Sequence, residues 1–200
     1  MVYVIMGKSG AGKDTIFKKL LSRAGGGICP VVPYTTRPMR RDEMEGVDYH
    51  FIDDDTAGRL RADGKVIEER VYETVNGPWR YMTVDDGKLS QSGERYLMIG
   101  TPEAYLKLRE HLGKENVRAV YITLDDGERL SRSLRRERLQ KEPNYRELCR
   151  RFLADDEDYK EEKLADAGME KRFVNDVFFD CLEEIAEYIR RKRAADGYQG

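Results

Sequence analysis

Short apolar runs alternate with amphipathic stretches along most of the chain, which is the pattern of βαβ units built around a parallel sheet. The apolar runs predict buried strands at residues 2–6, 28–32, 96–99, 117–124 and 173–177. Helical spacing of apolar positions predicts helices at residues 13–23, 53–63, 129–138, 145–160 and 181–193, with another beginning at Pro102. The pattern therefore indicates an α/β protein with helices on both faces of the sheet.

One segment departs from this alternation. Residues 66–83 are rich in β-branched and aromatic side chains, and Asn76-Gly77 supplies a turn signal between two runs. A polar loop at 35–48 and a short strand at 49–52 come before it. We expect a small antiparallel unit inserted into the parallel fold.

The first strand leads into a glycine-rich segment that ends at Lys13. Its spacing is G-x-x-x-x-G-K, with a predicted strand before it and a predicted helix after it, which is the context a phosphate-binding loop requires. Backbone N–H groups and the helix N-terminus would converge on an anion, and Lys13 would reach the β- and γ-phosphates of a nucleotide. A glycine-rich turn without a ligand is the alternative. The predicted donor-binding residues are Ser9, Gly10, Ala11, Gly12, Lys13, Asp14 and Thr15.

The residue after the lysine departs from the usual motif. Phosphate loops place Ser or Thr there as a Mg²⁺ ligand, whereas this chain has Asp14 followed by Thr15. A carboxylate is a hard oxygen ligand, so Asp14 is the predicted metal-binding residue, directly or through water, and Mg²⁺ is the predicted cofactor.

A second cluster of anion-binding side chains lies in the polar loop. Arg37 and Arg40 are close together, and two guanidinium groups can clamp one phosphate. Tyr49 can add a hydroxyl, and Glu43 is placed to orient an arginine. A solvated charged loop is the alternative, but the phosphate loop upstream favours an acceptor phosphate site.

The stretch T-T-R-P-x-R-x-x-E-x-x-G-x-D-Y-x-F, from Thr35 to Phe51, resembles the signature of the guanylate kinase family, and the resemblance extends over most of the chain. It implies a P-loop NTPase fold with three α/β/α layers, a small β-rich acceptor-binding insert and a helical lid. It also implies ATP as the phosphoryl donor and GMP or dGMP as the acceptor. The family residues match here Arg37, Arg40 and Tyr49 for the acceptor phosphate, Glu68 for guanine, Tyr81 and Thr83 for further phosphate contacts, and Asn175 near the donor adenine.

The chain also departs from the family pattern. The family has a serine where Pro33 stands, and an Asp-x-Asp where Met98 and Gly100 stand. Without those groups the acceptor could also be another nucleoside monophosphate or ribose 1,5-bisphosphate. The second alternative arises because some kinases of phosphorylated ribose also have a Gly-Lys-Asp phosphate loop. A glutamate such as Glu68 can also be an ordinary charge at a strand end.

Arginines crowd into the region of the expected lid: Arg132, Arg135, Arg136, Arg138, Arg150 and Arg151. Positive charge over a transferring phosphoryl group stabilises its transition state. The resemblance matches Arg138 and Arg151 to lid arginines, so these two and Lys13 are the predicted catalytic residues. The alternative is a solvated face whose arginines pair with nearby carboxylates.

Composition limits the class of protein. The chain has 200 residues and a net charge of −2, which suits one domain with a small anionic ligand better than a nucleic-acid binder. We expect a core at 1–34, 84–128 and 161–200, an acceptor-binding region at 35–83 and a lid at 129–160. Three separated cysteines and the short N-terminal apolar run indicate a cytoplasmic protein that does not bind membranes.

The sequence thus predicts an ATP-dependent nucleoside monophosphate kinase with small-molecule nucleotides as its partners. The sequence does not distinguish a monomer from a homodimer. A guanylate-kinase-like module that binds partners without catalysis is the alternative from another class. Retention of Lys13 and the lid arginines argues against it.

Overall fold

The computed structural model describes residues 1–25, 27–40, 43–74, 77–89, 93–169 and 171–196. These residues form strands and helices in the alternating order that the sequence predicts. The strands are β1 (Val2–Met6), β2 (Cys29–Pro30), β3 (Tyr34–Thr35), β4 (His50–Phe51), β5 (Val66–Thr74), β6 (Gly77–Val84), β7 (Tyr96–Ile99), β8 (Val117–Thr123) and β9 (Arg172–Val174). The helices are α1 (Lys13–Arg23), α2 (Asp54–Ala62), α3 (Pro102–Leu112), α4 (Asp126–Arg138), α5 (Tyr145–Asp158), α6 (Glu161–Asp166) and α7 (Phe178–Asp196).

The central sheet has the strand order β2-β7-β1-β8-β9, and every neighbouring pair is parallel. Strand β1 lies in the middle and is buried along its whole length. Its alternate side chains pack on opposite faces: Val4 with Leu108 of α3 on one, Ile5 with Ile16 of α1 and Leu182 of α7 on the other. Both faces of the sheet are therefore covered by helices, which makes three layers.

The second sheet has the order β4-β3-β6-β5. Strand β3 is parallel to β4 and antiparallel to β6, and β5 and β6 form a long antiparallel pair. Helix α2 covers one side of this sheet, with Ala57 packing against Met82 and Val84. This mixed sheet corresponds to the β-rich insert that the sequence predicts.

Several predicted boundaries differ from those in the structure. Strand β2 is shorter than 28–32, although the N–H of Val31 still donates to the carbonyl of Leu97 at 2.9 Å. Strand β3 begins before the predicted loop and takes in its first residue. Helix α4 begins earlier than predicted because the side chain of Asp125 caps its N-terminus. The sequence missed α6, which buries a single apolar residue, Leu164, and is too short to show helical periodicity.

The predicted turn at Asn76-Gly77 falls partly outside the described residues, since Asn76 lies beyond them and Gly77 begins β6. In the part of the chain that is described, no helix combines the length and the apolar character needed to cross a membrane.

Candidate active site

The glycine-rich loop connects the buried end of β1 to the N-terminus of α1. Gly12 caps the helix with φ at +94°, a conformation that favours glycine. A Cβ atom on Gly12 would also lie 2.4 Å from Nδ2 of Asn175, and that nitrogen donates a hydrogen bond to the carbonyl of Ala11 at 2.7 Å. Because Gly12 has no side chain to cap the helix, the first N–H groups of α1 are left for an anion.

Lys13 begins α1 and turns back over the loop. Its Nζ donates to the carbonyls of Gly7 at 2.7 Å and Lys8 at 3.1 Å. Burial lowers the pKa of Lys13 from the usual lysine value of 10.5, and the nearby carboxylates of Asp14 and Asp155 oppose this shift. The lysine therefore holds a partly desolvated positive charge beside the loop, which is the property needed to bind a phosphate.

Helices α4 and α5 hold the loop from its other side. The backbone N–H of Ser9 donates to Oδ2 of Asp155 at 2.6 Å, and the N–H of Gly7 donates to the hydroxyl of Tyr159 at 3.0 Å. Nη1 of Arg129 donates to the carbonyl of Ser9 at 3.0 Å, and its side chain is 1% exposed. These contacts attach the loop to the predicted lid, and no motif or spacing in the sequence predicts them.

The predicted donor-binding residues differ in exposure. Asp14 and Thr15 are exposed in the first turn of α1, where both side-chain oxygens are accessible. Asn175 is 2% exposed, and its Oδ1 is one of the buried oxygens without a hydrogen-bond partner among the described residues. Asn175 therefore supports the phosphate loop from beneath, and its predicted contact with an adenine stays a prediction.

Arg37 is the centre of the second anion-binding cluster. Its side chain is 3% exposed and makes a bidentate pair with Glu43, Nη1 to Oε2 at 3.0 Å and Nη2 to Oε1 at 2.7 Å. Nε of Arg37 donates to the hydroxyl of Tyr81 at 3.1 Å, and the ring of Tyr49 lies 5.3 Å from the guanidinium carbon. The pair with Arg37 holds the pKa of Glu43 below its usual range, so the glutamate stays charged. The predicted role of Glu43 in orienting an arginine agrees with this geometry.

Arg40 differs from Arg37, because its side chain is exposed. Its backbone N–H donates to Oε2 of Glu43 at 2.8 Å, so the same carboxylate anchors both arginine positions. The structure thus brings together a fixed, buried arginine and an exposed arginine that is free to meet a ligand. This arrangement suits a phosphate that enters from solvent.

Glu68 and Thr83 face each other across β5 and β6, where they are register partners. Both residues are buried, with Glu68 8% exposed and Thr83 4% exposed. The carboxylate of Glu68 accepts a hydrogen bond from Nε of Arg70 at 2.8 Å. Nη2 of Arg70 donates to the hydroxyl of Thr101. Glu68 is therefore a paired, buried carboxylate and not an exposed charge at a strand end.

The second sheet is joined to the edge of the central sheet at which the phosphate loop begins. Ile5 of β1 is the parallel partner of Ile99 of β7, so the phosphate loop and Thr101 follow the carboxyl ends of neighbouring strands. The contact between Arg70 and Thr101 ties the second sheet to this edge. Ligands of open α/β sheets bind in the crevice beyond the carboxyl ends of the strands.

The lid arginines are not equivalent. Arg136 and Arg151 line a small pocket beside Ser9, and the charge of Arg136 is close enough to act on the pKa of Lys13. Arg138 lies at the end of α4 and is exposed, as Arg136 is, but it is not among the residues that line this pocket. Arg136 and Arg151 thus lie next to the phosphate loop in this structure, and the catalytic role predicted for Arg138 stays a prediction. Arg132 lies one turn before Arg136, so helical spacing places both on one face of α4, and Arg132 donates to the carbonyl of Asn175 at 3.3 Å.

A family model described as guanylate kinase matches residues 1–192 of the chain. The chain belongs to the guanylate kinase family. A guanylate kinase of Zymomonas mobilis is 27% identical over 203 residues, covering 96% of this chain and 87% of that relative. One from Anaplasma phagocytophilum is 31% identical over 135 residues, covering 67% of this chain and 62% of the relative. One from Chromohalobacter salexigens is 41% identical over 80 residues, covering 40% and 37%. The chain thus spans less than two thirds of the latter two relatives.

A solved structure also resembles the chain. The crystal structure of guanylate kinase from Anaplasma phagocytophilum matches with a TM-score of 0.59 at 22% identity, covering 100% of this chain and 87% of that one. This likeness confirms the predicted fold class, the parallel α/β fold of P-loop NTPases. The division into core, acceptor-binding region and lid stays a prediction.

An aspartate at Gly100, one of the two positions of the family Asp-x-Asp, would require the neighbouring core to shift. A Cβ atom on Gly100 would lie 2.8 Å from Cγ1 of Val4, a buried residue of the central strand. Met98, at the other position, is buried in the core beside Tyr105. Residues 98 and 100 therefore both pack against the core of the central sheet.

Proposed function

We propose that this chain is an ATP-dependent nucleoside monophosphate kinase that phosphorylates GMP and dGMP to the diphosphates. The observation that carries the proposal is that a phosphate loop begins at the edge of the central sheet to which the sheet with a second anion-binding cluster is joined. The loop at Lys13 suits the polyphosphate of a donor, and the buried pair of Arg37 with Glu43 suits the single phosphate of an acceptor. Two phosphate sites in one crevice are what direct phosphoryl transfer requires.

Each cluster has a part in the reaction. Arg37, Arg40, Tyr49 and Tyr81 hold the acceptor phosphate so that one of its oxygens is in line with the γ-phosphorus of the donor. Lys13 withdraws from the carbonyls of the loop and stabilises the charge on the phosphoryl group as it transfers. The lid arginines Arg138 and Arg151, together with Arg136, add positive charge and exclude water. This mechanism needs no covalent enzyme intermediate.

The residues near the loop fit a magnesium ion held chiefly by the nucleotide. Asp14 and Thr15 present exposed hard oxygens beside Lys13. Among the described residues no group of three acidic, histidine or cysteine side chains could hold a metal alone, and Mg²⁺ commonly takes one or two protein ligands together with substrate phosphates. When bound, the ion neutralises charge on the β- and γ-phosphates. Asp14 would hold it, directly or through water.

Two alternatives follow from particular residues. The departures at Pro33, Met98 and Gly100 favour a related kinase with another phosphorylated acceptor, such as ribose 1,5-bisphosphate. A non-catalytic binding module has less support, because Lys13 contacts the phosphate loop and Arg136 and Arg151 adjoin it.

The test is a coupled ADP-release assay with ATP-Mg²⁺ and a panel of acceptors. The panel contains GMP, dGMP, AMP, CMP, UMP, dTMP and ribose 1,5-bisphosphate, and Lys13→Met serves as the inactive control. We expect turnover with GMP and dGMP alone. Turnover with a different acceptor would support the phosphotransferase activity but contradict GMP and dGMP as its substrates. If no acceptor in the panel gives ADP release and ATP does not bind, the result would favour the non-catalytic module.

A further inference from the structure

Arg70 is a charged side chain of the acceptor-binding sheet. It belongs neither to the phosphate loop nor to the phosphate clamp, the name used here for the cluster of Arg37 and Glu43. It lies two residues after Glu68 on β5, and side chains two apart on a strand share one face. Its register partner is Tyr81, whose hydroxyl contacts Arg37 of the phosphate clamp, and the register partner of Glu68 is Thr83. Arg70 therefore lies on the same face as the buried carboxylate, beside the acceptor phosphate site.

The spacing of these groups matches a nucleotide. Tyr81 and Thr83 are two residues apart on β6, which corresponds to roughly 7 Å along a strand. That is the scale of the ribose that separates phosphate from base in a nucleoside monophosphate. A ligand held by Arg37 at its phosphate would consequently place its base beside Glu68, whose carboxylate Arg70 contacts.

The guanidinium of Arg70 is held in one orientation. Nε donates to Oε1 of Glu68 at 2.8 Å, and Nη2 donates to the hydroxyl of Thr101, which also caps α3. The side chain is 32% exposed, whereas that of Glu68 is 9% exposed. The guanidinium also shares a side-chain hydrogen bond with Tyr72, and it still has more N–H donors than these three bonds use. It therefore presents oriented donors to a ligand, next to a carboxylate that presents acceptors.

We propose that Arg70 is a specificity-determining residue that donates hydrogen bonds to O6 and N7 of guanine, while Glu68 accepts from N1–H and the 2-amino group. This assignment deepens the proposed function and rests on it. An arginine fork pairs with O6 and N7 of guanine in a bidentate manner, and adenine, with an amino group at position 6, cannot accept the same pair of bonds. Arg70 thereby supplies a hydrogen-bond donor in a chain that has Pro33 at the position where the family pattern has a serine.

The charge of the pair also argues against a second phosphate at this position. Glu68 and Arg70 together are neutral, and an anionic group beside the buried carboxylate of Glu68 would meet like-charge repulsion. A neutral base edge with both donors and acceptors meets no such cost. The arrangement favours a guanine base over the second phosphate of a bisphosphorylated sugar.

The experiment compares kcat/KM for GMP, 7-deaza-GMP and IMP in the full-length protein. 7-Deaza-GMP lacks the N7 acceptor, so it isolates the contact of Arg70, whereas IMP lacks the 2-amino group and isolates the contact of Glu68. We expect the wild type to prefer GMP over 7-deaza-GMP by about tenfold. Arg70→Met should bring that ratio close to one while it leaves the preference for GMP over IMP in place.

Two further variants separate recognition from structure. Arg59→Met removes an exposed arginine of α2 that donates to Thr56 on the same helix, so it should keep every wild-type ratio. Arg70→Lys keeps a positive charge beside Glu68 without the planar fork, so it should fold even if Arg70→Met does not. We expect it to lower the ratio of GMP to 7-deaza-GMP at least threefold.

The outcomes are distinct. If both Arg70 variants lower kcat/KM for GMP and 7-deaza-GMP by the same factor, Arg70 only positions Glu68 and the assignment is overturned. A wild type that does not distinguish the two acceptors overturns it as well. A wild type that is silent with GMP but active with another acceptor overturns the proposed substrate first, and this assignment with it.

Discussion

The carboxylate of Asp155 accepts a hydrogen bond from the backbone N–H of Ser9, with Oδ2 2.6 Å from the nitrogen. Ser9 belongs to the phosphate loop, and Asp155 belongs to α5 of the predicted lid. In this structure a negatively charged side chain thus accepts a hydrogen bond from one of the backbone N–H groups of the loop. The charge of Asp155 also acts on Lys13, where it opposes the lowering of the lysine pKa.

We expect Asp155→Asn to tighten the binding of ATP. The amide oxygen of asparagine can still accept from Ser9, but the variant removes a negative charge that opposes the donor phosphates. The dissociation constant for ATP-Mg²⁺ should fall about fivefold, equivalent to about 1 kcal/mol. Titration calorimetry measures this constant directly. Asp158→Asn, an exposed position on the same helix, is the matched control and should bind ATP as the wild type does.

A dissociation constant that is unchanged or higher in Asp155→Asn would contradict this expectation. It would mean that Asp155 serves only to hold the loop in shape. In that case the amide exchange of Ser9 should become faster in the variant, because its N–H then has a weaker acceptor.

Arg129 is the buried group that connects both lid helices to the loop. It donates to the carbonyl of Ser9 at 3.0 Å and to Asp126 at 2.6 Å, and its guanidinium lies over the ring of Phe152 at 4.5 Å. Arg129→Met keeps much of the apolar volume and leaves the carboxylate of Asp155 without its nearby charge. We expect a loss of about 3 kcal/mol in unfolding free energy.

In thermal unfolding, the loss at Arg129 should appear as a decrease of roughly 6–12 °C in Tm. Arg135→Met, an exposed position on the same helix, is the matched control and should change Tm little. A Tm for Arg129→Met that equals the wild-type value would show that the buried pair adds no net stability.

The residues that the sequence identified share one property, which is that their chemistry is local. The phosphate loop is a short continuous segment with fixed spacing between a strand and a helix, and the structure builds it as expected around Gly12 and Lys13. The segment that holds Arg37 and Glu43 is also continuous. Within six residues it contains both partners of the bidentate pair.

The contacts that the sequence missed join distant parts of the chain. Asp155 and Ser9 are 146 residues apart, and Arg129 is 120 residues from Ser9. No spacing rule connects such positions, because only tertiary packing brings α5 against the loop. Arg70 is different. Its separation of two residues from Glu68 on a predicted strand was a local signal that the two side chains share a face.

A substitution at Glu43 tests whether the phosphate clamp orients the acceptor. Glu43→Gln keeps the shape of the side chain but replaces charge-assisted bonds to Arg37 with weaker ones. We expect KM for the acceptor to rise about tenfold, with a smaller change in kcat, because the arginine is bound but less well oriented. Steady-state kinetics at saturating ATP measures both. Glu110→Gln on the exposed face of α3 should leave KM as it is.

An acceptor KM that stays at the wild-type value in Glu43→Gln would show that Tyr81 and the carbonyl of Pro38 suffice to hold Arg37. A fall in kcat with unchanged KM would instead place the effect in the transition state.

The lowered pKa of Lys13 predicts how activity depends on alkaline pH. Burial disfavours the charged ammonium, so the lysine loses its proton below the usual value of 10.5. The neutral form cannot stabilise the donor phosphates. We therefore expect kcat/KM for ATP, which reports the free enzyme, to fall as pH rises through this lowered pKa.

Lys13→Arg separates this cause from general alkaline effects. The guanidinium stays charged at every pH in the range, so the variant should be slower but should lose the alkaline fall that the wild type shows. Lys13→Met should abolish turnover at all pH values. A wild-type profile that stays flat up to pH 10.5, or an equal fall in Lys13→Arg, would mean that another group controls the alkaline limb. Near-normal turnover in Lys13→Met would overturn the role of the lysine in phosphoryl transfer altogether.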